Sequence, residues 1–236
     1  MSYGTFTLPT VTGSRPGARA SLLDALFPMC CPGCGTPGVA VCGRCAAGAA
    51  PAPPLAPPPG VDSWASPFAY EGVVREVVAR LKYRDERGRV RWLTGALVAE
   101  AGELLGDVRG PLAVTWAPTS VAHRRARGFD QAELLARAVA RTLRVPCRPL
   151  LRRLGGPPQT GLPARDRRVG PRLVAAPAAA RALRGLGAVL VVDDVAPTGA
   201  TLAAAAAALR VAGASTVFAL TAARTPAPGA GPARTG

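Results

Sequence analysis

Residues 188–201, AVLVVDDVAPTGAT, constrain this chain more than any other stretch. Val189, Leu190, Val191 and Val192 are a run of strand formers that ends in two adjacent carboxylates, Asp193 and Asp194. Small and hydroxylated residues follow, Pro197-Thr198-Gly199-Ala200-Thr201, and then an alanine-rich helical pattern from Leu202 to Val211. A strand that breaks into a small-residue loop and then a helix makes an anion cradle. Its N–H groups converge on one spot, and the helix dipole favours negative charge there. Gly199 admits close backbone approach, and Thr198 and Thr201 add hydroxyls. Asp193 and Asp194 fall at the strand's C-terminal end, where open α/β sheets bind ligands. They suit sugar hydroxyls or a Mg²⁺ ion.

Asp193 to Thr201 after a valine-rich strand resembles the loop of type I phosphoribosyltransferases that binds phosphoribosyl pyrophosphate (PRPP). The resemblance implies that Asp193 and Asp194 meet the ribose hydroxyls. It also implies that Ala196, Thr198, Gly199, Ala200 and Thr201 hold the 5′-phosphate. One position departs: many relatives carry Thr, Ser or Asp where this chain has Pro197. Proline has no N–H, so one phosphate donor is missing. Where relatives carry Asp it serves as a base toward the nucleophile, a role Pro197 cannot fill.

The 236 residues give room for one medium domain and a small appendage. No apolar run approaches the roughly 20 residues of a membrane helix. Residues 1–20 lack the charged-then-apolar order of a signal peptide. The expectation is a cytoplasmic protein with no membrane insertion. The net charge of +15 favours polyanions such as nucleic acid or phosphorylated metabolites. Lys82 is the single lysine, and the rest of the positive charge is arginine. With so much Ala, Gly and Pro, the excess also fits GC-rich codon choice, so charge alone leaves function and composition unseparated.

Five of the six cysteines fall within MCCPGCGTPGVAVCGRC, residues 29–45. Cys31-x2-Cys34 and Cys42-x2-Cys45 are two knuckles, and each aims two thiolates at one point. Together they make a tetrahedral S₄ site, read as structural zinc. Cys30 is the spare, and Cys147 reads as a packed thiol. A pair of disulfides is the rival, disfavoured in a chain with no export signal. A closed Cys₄ set leaves no open position for catalysis, so its expected role is folding.

The expected organisation is a flexible N-terminus (1–20), a Cys₄ module (21–48), a proline-rich linker (49–60), an α/β domain (61–224) and a disordered tail (225–236). Helices are expected over about 72–81, 90–105, 132–143 and 200–212, and strands over 111–116, 188–194 and 216–220. The basic run His123 to Phe129 and residues 151–172 read as loops. Helix–strand alternation gives a mainly parallel sheet.

Several pieces in this order resemble the ComF family, a Cys₄ module joined to a phosphoribosyltransferase-like domain. They are the two knuckles, Leu81-Lys82-Tyr83-Arg84, Arg124 to Ala136 with its RARGFDQ core, Gln159-Thr160-Gly161-Leu162 with Arg167, and Asp193 to Thr201. Relatives usually show Asn where this chain has Asp130, and an Asn near Gly170. The resemblance implies a type I phosphoribosyltransferase-like parallel sheet flanked by helices, with a small N-terminal zinc module. It implies Mg²⁺ with PRPP, and a pyrophosphate site drawn from Lys82, Thr119, Ser120, Arg124, Arg125 and Arg127. Arginine forks suit such a group. Two functions stay open. One is binding of Mg-PRPP or a ribose 5-phosphate ligand, with transfer of the phosphoribosyl group to an acceptor that no residue identifies. The other is single-stranded DNA handling with the competence and DNA-uptake machinery, on a non-catalytic scaffold. PRPP sensing without turnover is a weaker third. The 5% aromatic content runs against base stacking.

Overall fold

The computed structural model describes residues 29–81, 87–106, 108, 110–155 and 171–225. In chain order the elements are α1 (Gly43–Ala47), β1 (Ser63–Ala65), β2 (Phe68–Ala69), α2 (Gly72–Arg80), α3 (Arg87–Leu104), β3 (Leu112–Trp116), α4 (Val121–Arg127), α5 (Gln131–Leu143), β4 (Leu151–Arg153), β5 (Leu173–Ala175), α6 (Ala179–Leu183), β6 (Ala188–Ala196), α7 (Ala200–Val211) and β7 (Val217–Arg224). The expected N-terminal stretch 1–20, residues 21–28 of the cysteine module, Lys82-Tyr83-Arg84, Gln159 to Leu162, Arg167, Gly170 and the tail beyond Thr225 lie outside the described residues.

The main sheet runs β1-β7-β6-β3, with β2 also on β7, and every pairing is parallel. β6 lies in its middle, paired to β3 on one side and β7 on the other. That is why its sequence is a near-continuous apolar run and not an alternating one. Leu190 and Val192 pack with Leu93 and Leu97 of α3 and Leu135 and Val139 of α5. Val189 and Val191 pack on the opposite face with Leu202, Ala205 and Leu209 of α7. Helices therefore cover both faces of a parallel sheet, as expected of an α/β domain.

β3 and β6 send their chains to opposite faces, β3 toward α5 and β6 toward α7. Such a divergence leaves a crevice at the C-terminal sheet edge. The registers show where it opens. β3 pairs with β6 as far as Trp116↔Val192, and the Ala117 N–H to the Val192 carbonyl (3.0 Å) ends the contact. β6 continues on β7 alone, from Asp193↔Thr221 to Ala196↔Arg224.

Local chemistry explains three departures from the expected elements. The basic run is a helix, α4, because the Ser120 side chain caps it by accepting the His123 N–H. Gly128, at φ 79°, ends it. Residues 151–172 do not begin as a loop: β4 pairs antiparallel with β5, Leu151↔Ala175 to Arg153↔Leu173. The last strand runs four residues further than 216–220. Residues 50–61 are pinned to the domain, through Ala69 N–H to the Ala50 carbonyl (2.9 Å) and Ala52 N–H to the Pro67 carbonyl (3.2 Å).

Leu190 is fully buried in the central strand. Leu190→Ala is expected to lower unfolding stability by about 2–5 kcal/mol, read from a urea titration.

Candidate functional site

The crevice holds a polar cavity of about 220 Å³. Of the residues singled out from sequence, it gathers Thr119, Arg127, Asp193, Asp194 and Thr201. It adds Asp130, Gln131 and Arg153, which come from the start of α5 and the end of β4. Ser120, Arg124 and Arg125 are not in its wall. Ser120 is occupied as the α4 cap, and Arg124 and Arg125 are exposed on that helix. Ala196 is buried below the loop.

Each aspartate of the pair folds back on its own chain. Asp193 Oδ1 accepts the Asp194 N–H (2.9 Å), and Asp194 Oδ1 accepts the Val195 N–H (2.9 Å). Burial pushes the Asp193 carboxyl well above its ordinary range, and the adjacent Asp194 charge pushes it the same way, with a further push from Asp130. Asp194 is half-buried and shares the cavity. Convergent, mutually repelling carboxylates in a buried wall suit a divalent cation or a set of hydroxyl donors.

Asp130 ties two parts of the site together. Its Oδ1 accepts the Ala132 and Glu133 N–H groups at 3.1 and 3.4 Å, capping α5. Its Oδ2 accepts the Thr119 N–H at 2.8 Å. The Thr119 amide is therefore spent inside the protein, and its hydroxyl is what remains for a ligand. Burial raises the Asp130 carboxyl, though the donations from Thr119, Glu133 and Ala132 pull it back.

The loop after β6 stands between two cavities. Val195 and Thr201 face the polar one. Pro197, Thr198, Gly199 and Ala200 line a second cavity of about 370 Å³, with Leu55, Pro58 and Trp64 on its other wall. Gly199 caps α7 at φ 73°, and a Cβ there would lie 2.9 Å from Pro58 Cγ, so the residue is required twice over. Thr198 Oγ1 accepts the Ala200 N–H at 3.3 Å. The loop thus uses part of its donor set on itself.

In the N-terminal module the sulfurs of Cys31, Cys34, Cys42 and Cys45 all lie within 4.8 Å of one another. A tetrahedral S₄ zinc site, with Zn–S near 2.3 Å, needs sulfurs roughly 3.8 Å apart, so the set can hold one metal ion. Cys42 Sγ also caps α1 by accepting the Cys45 N–H. A hydrogen bond from Thr36 holds the Cys34 thiol down to about 5, while sharing with Cys42 drives Cys45 up to about 12. Burial raises the Cys31 thiol, but backbone donations from Cys42, Cys34 and Gly33 outweigh it and leave it lowered. A Cβ on Gly33 would meet Cys45 Sγ at 2.8 Å, which explains why glycine sits inside that knuckle. Cys30 stands outside the set, pairing its backbone with Pro37. Burial raises the Cys147 thiol beside β3.

No protein-family model and no curated protein matches this chain. Among solved structures, the chain is similar to one described as the structure of the allosteric regulatory enzyme of purine biosynthesis. The two are 18% identical with a TM-score of 0.38, over 61% of this chain and 30% of that one. The chain thus spans less than a third of that enzyme's length, and a likeness at this level adds nothing to what the site's own geometry says.

A carboxyl raised on folding takes up a proton. Its contribution to stability is fully present below the unfolded value of 3.8 and is lost as pH rises through the folded one. At neutral pH the buried Asp193 carboxyl therefore leaves the ligand-free fold less stable than it is in acid. Asp193→Asn is expected to raise the melting temperature at about pH 7 by several degrees, with the gain shrinking toward about pH 4, as followed by thermal denaturation across that range.

Proposed function

We propose that this chain binds a phosphorylated pentose, PRPP with Mg²⁺ or ribose 5-phosphate, in the crevice between β3 and β6. The observation that carries the reading is one cavity lined at once by Asp193, Asp194, Thr201, Thr119 and Arg127. A ligand with vicinal hydroxyls at one end and anionic groups at the other matches that division. Asp193 and Asp194 accept hydrogen bonds from the ribose hydroxyls. The Thr201 hydroxyl at the start of α7 receives the 5′-phosphate on the cavity side, whereas Thr198, Gly199 and Ala200, expected from sequence to hold the same group, line the neighbouring cavity. Arg127 and the Thr119 hydroxyl face the pyrophosphate. Mg²⁺, held by the acidic pair and mostly by the ligand's own oxygens, supplies neutralisation of phosphate charge.

Transfer to an acceptor would rest on positioning and on charge stabilisation as the pyrophosphate departs. Pro197 offers neither a base nor an N–H, so the loop supplies no proton acceptor at that position. This fits an enzyme whose acceptor brings its own nucleophile, or a PRPP-binding protein without turnover.

The ordered set of pieces resembles ComF, which implies a second reading, the handling of single-stranded DNA. One observation favours it: α4 carries Arg124 and Arg125 exposed outside the cavity, on a helix with no buried side chain. The four-cysteine set reads as a structural zinc site. Val41, Ala46 and Ala49 beside it pack against the main core, so metal loss is expected to disturb more than the knuckles.

Mg-PRPP and ribose 5-phosphate are each expected to raise the melting temperature, and the double variant Asp193→Asn/Asp194→Asn to abolish the shift. Absence of any shift in the wild type, together with single-stranded DNA binding that weakens steeply with salt, would favour the second reading. The purified protein is also expected to carry one zinc per chain by elemental analysis. Cys34→Ser should lose the metal and lower stability.

A further inference from the structure

Arg89 is the third residue of α3, a helix with no acid in its first turn. A cation there opposes the positive end of the helix dipole. Arg89 is also only 2% exposed, and an enclosed charge is costly. Burial pulls its guanidinium below the ordinary range, and Arg80 at the end of α2 pulls the same way. Burial, the dipole and a like charge therefore all act against this residue, and an apolar side chain would escape all three. What stands on the other side is the cysteine module. Arg89 Nη2 donates to the Cys30 carbonyl at 2.9 Å. The Cys31 and Cys30 thiols, in their negative form, favour the guanidinium charge.

The cysteine set has a closed side and an open one. Cys31 is 1% exposed, whereas Cys34 is exposed and Cys42 and Cys45 are half-buried. Cys31 Sγ accepts the Cys42 N–H at 3.4 Å. In the same knuckle Gly33 sits against α2, where an added Cβ would lie 3.3 Å from Val73 Cγ2. The closed side thus faces α2 and α3, and Arg89 is a cation on that side. Four thiolates around one divalent ion keep an excess of negative charge. Water screens it near Cys34 but not near Cys31. A metal-free set can relieve its charge by taking up protons. A loaded set cannot, because each sulfur must stay deprotonated to ligate.

We propose that Arg89 is the charge-balancing and positioning residue of the four-cysteine centre. Its guanidinium offsets the excess charge of the loaded set at Cys31 and, through the Cys30 carbonyl, fixes the first knuckle against α3. This rests on the reading of the four cysteines as a metal site. The loaded form needs the buried charge and the metal-free form does not, so Arg89 acts on metal affinity more than on the metal-free fold.

The test uses the full chain and measures the zinc dissociation constant by competition with a chromophoric chelator at one fixed neutral pH. Arg89→Met keeps the length and the apolar stem but removes the charge and the donors. It is expected to weaken zinc by about ten- to a hundred-fold. Arg89→Lys keeps a charge and a donor and should recover most of that loss. Arg89→Gln keeps a donor for the Cys30 carbonyl without the charge, and should stay close to Arg89→Met. Wild-type affinity in Arg89→Gln would reduce Arg89 to a hydrogen bond and overturn the charge role. Urea unfolding of the metal-free chain gives the second readout: the midpoint of Arg89→Met should not fall below that of the wild type. A lower metal-free midpoint with unchanged zinc affinity would make Arg89 a packing residue and overturn the assignment. Should Arg89→Met fail to fold, the Lys and Gln variants decide between them. A wild type that binds no zinc overturns the metal reading and this assignment with it. Zinc held equally by the wild type and by the Met and Gln variants overturns the Arg89 assignment alone.

Discussion

Two carboxylates at the end of a buried central strand set the terms for the rest of this structure. β6 is covered on both faces and paired on both edges as far as Val192, and no charge could be kept there without a partner. Asp193 and Asp194 begin at the residue where β3 turns away. The fold places its charges at the first position where the sheet stops being closed. Even so, Asp193 remains buried, and that burial pushes its carboxyl above the ordinary range.

The surroundings hold that geometry in place. Asp130 binds the loop after β3 to the first turn of α5 through three N–H donations, so the two walls of the crevice are one unit. Arg127 hangs from Gln131 at the same junction. Glu133, in the first turn of α5, pairs with Arg137 at 2.8 Å and reaches Arg124 at 3.6 Å. These outer contacts are solvent-exposed and worth little in stability. Their position matters more, because they draw α4 toward α5 and leave Arg127 on the cavity side.

Much of this was legible in the residues. The run Val189 to Val192 read as a strand, and the alanine-rich stretch after Gly199 as a helix, and both are so placed. The two CxxC pairs specified a four-sulfur cluster by spacing alone. What could not be read has physical causes. α4 buries nothing, so it carries no apolar periodicity, and its existence depends on one serine cap and one glycine stop. β4 and β5 are three residues each and lie outside the main sheet, so the ribbon that delivers Arg153 left no alternation to detect. Gln131 was named only within the RARGFDQ piece, with no role assigned to it. Its importance depends on a bond across a bend and on burial, neither of which periodicity encodes. The acidic pair and Arg127 were visible because they sit in motifs. Arg125 sits in the same piece as Arg127 but is exposed away from the cavity, and Ser120 is turned to cap α4, which sequence order cannot reveal.

Pro197 and Pro58 share a logic that bears on what the loop after β6 can do. Pro197 removes an N–H but locks its own φ near −65°. Pro58 packs against Gly199 closely enough to exclude any side chain there. Trp64, which lines the same cavity, is itself held: its Nε1 donates to Thr221 Oγ1 at 3.0 Å, and the Arg224 guanidinium stacks 4.2 Å from its ring. The loop is thus braced from behind by a proline segment and a fixed aromatic ring. On the proposed pentose-phosphate reading, a loop that has lost one donor keeps affinity if its remaining N–H groups need no ordering when the ligand arrives, since that ordering entropy is what a flexible loop loses on binding. Residues 50–61 therefore brace the loop after β6, through Pro58 against Gly199, as well as connecting to the cysteine module.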